Sequence, residues 1–320
     1  MKTRHTGAAL LTAMLTVALV ASMAAAALWQ QWRSVEVEAA ERARTQSLWV
    51  LTGALDWARL ILREDARSGG ADHLGEPWAV PLEEARLSTF LAADKAASAD
   101  TSDTASQVFL SGAISDLQGR MNVLNLVDNN KASEPTVRAF AKLFVQLGLP
   151  RAELAALTEN LRAALDTSPE GAAARGAPLL PQRVDQLVWL GLSPRSLALL
   201  RPFITLLPVR TPVNLNTASA PVLHACIPML DMAQAERLVS VRQSAHFRTL
   251  GDAGKVVPEA AGDLNENQHS VSSRFFEVQG RLRLDHVIVE ERSVVQREGL
   301  VVKVLWRDRG TPGPADGPLQ

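Results

Sequence analysis

Cysteine is nearly absent from this chain of 320 residues, in which Cys226 is the single example. One cysteine cannot form an intrachain disulfide, and it cannot supply the thiolates of a zinc ribbon or of a redox CxxC site. Cys226 lies between Ala225 and Ile227. We therefore interpret it as a small residue of an apolar core.

An excess of charge is also lacking, because the formal net charge at pH 7 is -1. No global field therefore draws the protein to nucleic acid or to acidic lipid. Catalytic motifs are lacking as well, since the 6 histidines show no HxxxH or HExxH spacing and no GxSxG or phosphate-binding loop occurs. We expect neither an enzyme nor a nucleic-acid-binding protein.

Charged residues are missing altogether from the apolar run Ala8–Leu28. As a helix this run spans about 31 Å, close to the hydrocarbon thickness of a bilayer. Lys2 and Arg4 precede the run, and such a positive flank stays in the cytoplasm. Trp29 follows at the position of an interfacial aromatic residue. We predict one membrane span, with the rest of the chain outside the cytoplasm.

A secretory signal peptide, cleaved within Ala24–Ala27, is an alternative interpretation of the same run. Against it, strong helix formers follow at 36–44, and apolar residues then recur at helical spacing as far as Leu62. We predict one helix from about Ala8 to about Glu64, apolar in its first half and amphipathic in its second. Such a helix is typical of a pilin-type subunit.

The residues before the apolar run resemble a prepilin-peptidase site. Arg4-His5-Thr6-Gly7 precedes Ala8-Ala9-Leu10-Leu11, which places the predicted cleavage between Gly7 and Ala8. Glycine is expected at this position because the peptidase must approach the backbone closely.

Beyond the long helix, the hydrophobic period changes twice. Alternation predicts a strand at Gln107–Asp116, and a period of 3.6 predicts helices from about Ser133, a candidate cap, to Val256. Alternation returns at Phe275–Val289 and Leu300–Trp306. One small sheet that carries an insertion explains this order. We predict an α+β fold: a long pilin-like N-terminal helix packed on a small antiparallel sheet, with a large all-helical insertion.

The most specific local pattern is Val213-Asn214-Leu215-Asn216-Thr217-Ala218. Thr217 can cap a helix that begins near Ala218, and the side chains of Asn214 and Asn216 can bond the backbone of the preceding turn. With the segments that follow, the pattern resembles a helix-hairpin-helix module, as carried by the membrane-anchored DNA receptor of natural transformation. The hairpin turn at 229–231 lacks glycine and has a carboxylate where a phosphate would bind, which disfavours DNA.

Metal binding has one set of candidate residues. Asp166, Glu170 and Asp185 lie in or beside a long loop between helices, and oxygen ligands on a loop suit calcium. Acidic residues this far apart are also typical of a solvated surface.

Four segments together resemble one family over most of the chain: Gly7–Leu11, Glu76–Trp78, Ile114–Asn125 and Val213–Ala218. In this order and at these separations, they resemble the minor pseudopilin K of type II secretion systems, also called general secretion pathway protein K. The positions that carry this motif are Asp116, Gly119, Arg120, Asn122, Asn125, Asn214, Asn216 and Thr217.

The resemblance implies a pilin-like core whose large all-helical insertion is similar to SAM and helix-hairpin-helix domains. It also implies a role in protein export across the outer membrane. It implies cleavage after Gly7, N-methylation of Ala8, a single span of the inner membrane and a C-terminal head in the periplasm. The subunit would cap the tip of the pseudopilus and help to start its assembly. The implied partners are the minor pseudopilins I and J, the major pseudopilin fibre, the prepilin peptidase and inner-membrane lipid.

Position 12 bears on this mechanism. Ordinary pilins have glutamate at the fifth residue after cleavage, where it pairs with the free amine of a neighbouring subunit. Thr12 occupies that position here, and the K subunit of the family lacks this glutamate. A buried carboxylate is costly without a partner, so its absence suits a tip subunit that has no subunit above it.

The resemblance also suggests calcium, which a family member of known fold carries. The acidic loop usual in the family is reduced here to Leu165–Glu170, so we assign no cofactor and no ligands.

The alternatives that stay open are a competence-type DNA receptor and a secreted scaffold released by signal peptidase.

The predicted divisions are a leader at 1–7, a transmembrane half-helix at 8–28, the first part of the pilin-like core at 29–132, a helical insertion of two subdomains at 133–256 (the second at about 210–256), closing strands at 257–308 and a disordered tail at 309–320.

Overall fold

The structure of the protein is a computed structural model. The structure describes residues 6–87, 108–166, 176, 178–284 and 287–310. Most of the predicted leader and residues 311–320 of the predicted tail lie outside this part of the chain.

A single helix, α1 (Thr6–Ser68), forms the first 63 described residues. It is about 95 Å long at 1.5 Å per residue, and it confirms the predicted continuous helix. Its N-terminal half is long and apolar enough to cross a membrane, and no other described part of the protein covers it. Its second half buries one stripe at helical spacing, formed by Leu51, Leu55, Ala58 and Leu62.

The stripe on α1 packs against an antiparallel sheet of five strands. In spatial order they are β1 (Leu82–Arg86), β2 (Val108–Asp116), β9 (Phe275–Leu284), β10 (Val287–Glu298) and β11 (Val301–Gly310). The helix lies close to the sheet because Gly280 has no side chain. A Cβ atom there would lie 3.1 Å from Leu51 Cδ2.

The chain between β2 and β9 folds into a helical block. Its largest apolar cluster runs from Met121 to Ala260, so the core extends past both ends of the predicted insertion at 133–256. Cys226 packs against this core. The α-helices are α2 (Glu134–Gln146), α3 (Arg151–Leu165), α4 (Pro194–Leu200), α5 (Ala220–Cys226), α6 (Met232–Ser244) and α7 (Leu250–Val256). The 3-10 helices are Pro77–Ala79, Leu117–Gly119, Val123–Leu126, Val184–Leu190 and Pro258–Asp263.

Pairs of short strands hold the ends of the block together. Two of the pairs are parallel, β3 with β6 and β7 with β8, and β4 pairs with β5 in the antiparallel sense. The pairs of backbone hydrogen bonds let distant segments meet without a regular sheet. These strands are β3 (Met121–Asn122), β4 (Val127–Asp128), β5 (Lys131–Ala132), β6 (Ile204–Thr205), β7 (Val213–Asn214) and β8 (His269–Ser270).

The α+β prediction is confirmed, with three local corrections. The predicted strand 275–289 is divided between β9 and β10, which pair as a hairpin. Strand β11 continues to Gly310, two residues into the predicted tail, because it pairs with β10 as far as Glu290. Ser133 does precede α2, but its hydroxyl contacts Thr136 Oγ1 and not a free backbone N–H of the helix.

Candidate functional site

The N-terminal half of α1 is one candidate functional region. Gly7 and Ala8, the predicted cleavage site, lie in the first turn of the helix. Thr12 Oγ1 donates to the carbonyl oxygens of Ala8 (3.0 Å) and Ala9 (2.9 Å). The hydroxyl is therefore satisfied within its own helix, and position 12 offers no carboxylate to a neighbouring amine.

A second region is the polar junction, which we define as Asp116, Asn214, Thr217 and Ser273. Asp116 Oδ2 accepts hydrogen bonds from Asn214 Nδ2 (3.1 Å), Thr217 Oγ1 (2.6 Å) and Ser273 Oγ (2.6 Å). Its Oδ1 accepts from the Gln118 backbone N–H at 2.7 Å. Burial raises the pKa of Asp116, and the donors, led by Ser273, oppose that shift. The junction joins the end of β2 to the helical block.

Thr217 does not have the predicted capping role. Helix α5 begins at Ala220 after Ser219, and the residue at its N-cap makes no side-chain hydrogen bond to the helix. The Thr217 hydroxyl donates to Asp116 instead. A buried carboxylate is costly unless donors satisfy it, and this requirement outweighs a local cap.

Gly119 allows the two segments of the junction to meet. A Cβ atom at this position would lie 2.9 Å from Thr217 Oγ1 and 3.1 Å from its carbonyl carbon. Arg120 follows and closes the 3-10 turn through its backbone N–H, which donates to the Leu117 carbonyl oxygen at 3.3 Å. The glycine in the motif is therefore explained by a close approach of two backbones.

Asn122 and Asn125 bind a segment far along the chain. Asn122 Nδ2 donates to the Val209 carbonyl oxygen at 2.8 Å, and its Oδ1 accepts from the Leu207 N–H at 3.2 Å. Asn125 bonds both backbone groups of Thr211, donating to the carbonyl at 2.7 Å and accepting from the N–H at 3.1 Å. The two amides thus act as substitutes for backbone strand partners.

Asn214 and Asn216 also bond distant groups. Asn216 exchanges two hydrogen bonds with the Phe247 backbone, donating at 2.9 Å and accepting at 2.8 Å. Asn214 Oδ1 accepts from the Asn216 N–H at 2.9 Å, which is a local turn of the predicted kind. Its Nδ2 reaches the Asp72 carbonyl oxygen and the polar junction. Asn214 therefore makes one local backbone bond, whereas the side chain of Asn216 bonds the distant Phe247 backbone and not the preceding turn.

A buried ion cluster, which was not predicted from the sequence, lies next to the polar junction. Arg297 on β10 donates to Asp65 on α1 and to Asp72, at 2.5 Å in each case. It also donates to the Ser273 carbonyl oxygen at 2.9 Å. Burial raises the pKa of Asp72 and outweighs the opposing charge of Arg297. No local pattern marks these residues, because they lie in three separate segments.

The same cluster is the strongest metal candidate in the described part of the chain. Asp65, Asp72 and Glu76 each offer an oxygen within 4.8 Å of the others. Arg297 already neutralises two of these groups, and Glu76 Oε2 accepts from the His73 N–H (2.8 Å) and Trp78 Nε1 (2.7 Å). Calcium requires six to eight oxygen ligands, so this donor set does not fit it.

The calcium candidates named from the sequence do not form a site within the described residues. Asp185 forms an ion pair with Arg201, whereas Glu170 lies outside the part of the chain that the structure describes. Asp166 ends α3 as its C-cap residue. No ligand set is assigned at this loop.

The predicted hairpin is formed by α5 and α6, and its turn is closed by the protein itself. Asp231 Oδ1 accepts from the Gln234 N–H at 2.7 Å, and Gln234 Oε1 accepts from the Asp231 N–H at 3.0 Å. This capping box places a carboxylate at the helix N-terminus, where a nucleic-acid phosphate would otherwise bind. The geometry disfavours DNA binding at this turn.

Comparisons with known proteins agree on one family. Family models described as "Type II secretion system (T2SS), protein K" match residues 119–209 and 213–272, which include most of the motif above. Type II secretion system protein K of Pseudomonas aeruginosa is 29% identical over 98% of this chain and 95% of its own length. The protein of the same name from Pectobacterium carotovorum subsp. carotovorum is 25% identical over 97% of this chain and 98% of its own length.

A solved structure has a similar fold. It is a chain of the GspK-GspI-GspJ complex from the type 2 secretion system of enterotoxigenic Escherichia coli, with a TM-score of 0.64 and 18% identity. The match covers 85% of this chain and 99% of that chain. The chain therefore belongs to the protein K family of type II secretion systems, a family of minor pseudopilins.

Proposed function

We propose that this protein caps the tip of a pseudopilus and helps to start its assembly for protein export across the outer membrane. The single observation that carries the proposal is α1, which joins an uncovered apolar half to an amphipathic half seated on the sheet. Such a helix can lie in a membrane or in a fibre while it holds a folded head outside. The protein would act by assembly and would carry out no chemistry.

Thr12 supports a place at the tip. In a repeating subunit, a carboxylate at this position would be buried and would need the amine of the neighbour. The Thr12 hydroxyl is satisfied by Ala8 and Ala9, so it makes no such demand. The helical block also adds bulk to the head, which opposes stacking as a repeating subunit.

We also propose the topology and processing that the family implies. The protein would be cleaved between Gly7 and Ala8 by the prepilin peptidase and methylated at Ala8. It would remain in the inner membrane through 8–28, with its head in the periplasm. The head would consist of a pilin-like core in two parts, 29–132 and 257–308, with the helical block inserted between them.

Mass spectrometry of the mature N-terminus tests this proposal most directly. Protein purified from cells that contain the secretion system should begin at N-methylated Ala8. Gly7→Val should leave the leader attached, because a side chain would obstruct the peptidase. A mature chain that begins near Leu28 would instead indicate signal peptidase and would overturn the proposal.

The proposed partners are the minor pseudopilins I and J, and beneath them the major pseudopilin fibre. The similar E. coli chain was solved in a complex with GspI and GspJ, which motivates the assignment. Tagged full-length protein should recover I and J together from detergent-solubilised membranes. Recovery of neither would count against a tip complex.

The competence-type DNA receptor remains the second candidate because of the α5–α6 hairpin. A gel-shift of the protein with double-stranded DNA at low salt separates the two, since phosphate-driven binding is strongest there. Binding that weakens steeply as salt is added would favour the receptor.

A further inference from the structure

A cavity of about 310 Å³ lies where the loop after α1 meets the C-terminal end of α6. Its volume is at the lower end of small-molecule pockets, which measure roughly 300–1,000 Å³. Neither the polar junction nor the buried ion cluster around Arg297 forms its lining. The lining residues are His73, Leu74, Gly75, Asn216, Arg242, Gln243, Ser244, Ala245 and His246.

Arg242 is a half-buried cation in this lining. Its Nη1 donates to the Leu215 carbonyl oxygen at 2.5 Å. Among the described residues, no carboxylate forms an ion pair with it. Burial alone lowers the pKa of Arg242 to about 10, which indicates that no nearby charge compensates the guanidinium. A guanidinium has five N–H donors, so most of its hydrogen-bonding capacity stays available.

Two histidines from different parts of the fold form another side of the cavity. The rings of His73 and His246 stack with their centroids 3.8 Å apart and an angle of 9° between their planes. His73 Nδ1 accepts from the Gly75 N–H at 3.1 Å, which leaves its Nε2 as the protonated nitrogen of the neutral ring. Two imidazolium ions at this distance would repel each other strongly.

The surroundings of His73 are mixed in charge. Burial is the largest cause that lowers its pKa, His246 lowers it further, and Asp65 opposes both. Glu76 accepts from the His73 backbone N–H, and Arg242 lines the same cavity. An anion placed between Arg242 and the rings would favour the protonated imidazole.

We propose that this cavity binds a small oxyanion, a carboxylate or a phosphate, held by the fork of Arg242 with the stacked histidines as a second wall. Guanidinium and oxyanion groups pair with two parallel hydrogen bonds, which gives the site its chemical preference. Because an oxyanion favours the protonated ring of His73, a ligand whose own charge is constant binds more tightly as the pH falls. The proposal is independent of the tip function.

Isothermal titration of the full-length protein in detergent tests the site, with inorganic phosphate as the probe in one arm and acetate in the other. Saturable binding at one site is expected in at least one arm. Arg242→Gln should weaken it about tenfold or more, because a charge-assisted hydrogen bond is lost. Arg237→Gln, an exposed arginine on the same helix, should leave the affinity unchanged.

The arms identify the ligand: tighter phosphate binding indicates a phosphate site, and tighter acetate binding indicates a carboxylate site. If Arg242→Gln fails to fold, Arg242→Lys keeps the charge without the fork and should bind more weakly than the native protein. NMR of labelled histidine should also detect a rise in the pKa of His73 with ligand, absent in Arg242→Gln. No saturable binding in either arm, or equal binding by Arg242→Gln, would overturn the proposal.

Discussion

Thr217 donates a hydrogen bond of 2.6 Å to Asp116, which lies 101 residues earlier in the chain. The bond joins the end of strand β2 to the segment that leads into α5. Ser273, just before β9, donates to the same carboxylate oxygen at 2.6 Å. One carboxylate therefore holds both ends of the helical block against the sheet.

Asp116→Asn should destabilise the protein by about 1–3 kcal/mol, the usual cost of an unsatisfied buried donor. The NH₂ group of the new amide would face a donor in either orientation: the Gln118 N–H at the Oδ1 position, or Asn214 Nδ2 at the Oδ2 position. Thermal and urea unfolding of the full-length protein in detergent measure the change. Asp128→Asn, in the exposed pair with Arg210, should cost at most about 1 kcal/mol. Equal effects of the two substitutions would contradict the role of Asp116.

Gly119→Ala should destabilise the protein by about 1–3 kcal/mol, because the new methyl group overlaps Thr217. Gly53→Ala is the matched control, since nothing lies within 4 Å of a Cβ at that exposed position of α1. The control should stabilise the helix by roughly 0.5–1 kcal/mol. Unfolding midpoints in urea compare the two, and a neutral Gly119→Ala would show that the close approach is not required.

Arg297→Met should be among the most damaging substitutions, at about 3–5 kcal/mol, because it leaves Asp65 and Asp72 buried without their cation. The side chains of all three residues are at most 10% exposed. Arg183→Met removes the exposed pair with Asp308 and should cost at most about 1 kcal/mol. The difference between the two variants in thermal unfolding is the measurement, and similar losses would refute the buried cluster.

Glu76 gives the protein a dependence on pH. Burial raises the pKa of Glu76 from 4.5 to about 7. Between these values the folded state keeps a proton that the unfolded chain has released, so the free energy of unfolding falls as the pH rises through this window.

Glu76→Gln removes this pH dependence, because an amide does not ionise. The hydrogen bonds are kept, since the amide oxygen can still accept from His73 and Trp78. The unfolding temperature of the native protein, minus that of the variant, should fall from pH 4.5 to about pH 7 and then level off. Taking the difference cancels the titration of the histidines. A constant difference across the window would contradict the raised pKa.

Some elements could be predicted from the sequence because their signals are local. The uncharged run Ala8–Leu28 and the helical spacing beyond it were sufficient to predict α1. The motif residues Asp116, Gly119 and Asn214 were also identified, but only as a pattern. Their contacts were not predictable, since each has its partner in a different segment.

The role assigned to Thr217 illustrates the limit of prediction from local sequence. Thr217 has a favourable position for a cap, yet the buried carboxylate of Asp116 takes its hydroxyl. No local sequence pattern distinguishes Asp72, Ser273 or Arg297, so their contacts were not predicted. Arg297 and Asp72 are 225 residues apart.

The sequence by itself determined the long helix, its uncovered apolar half and the change from helical to strand periodicity, because each depends on neighbours within a few turns. Only the tertiary structure decided which polar groups are buried together, at the polar junction, around Arg297 and beside Arg242. The cost of burying a charge depends on what surrounds it, and those surroundings come from segments that meet only in the folded chain.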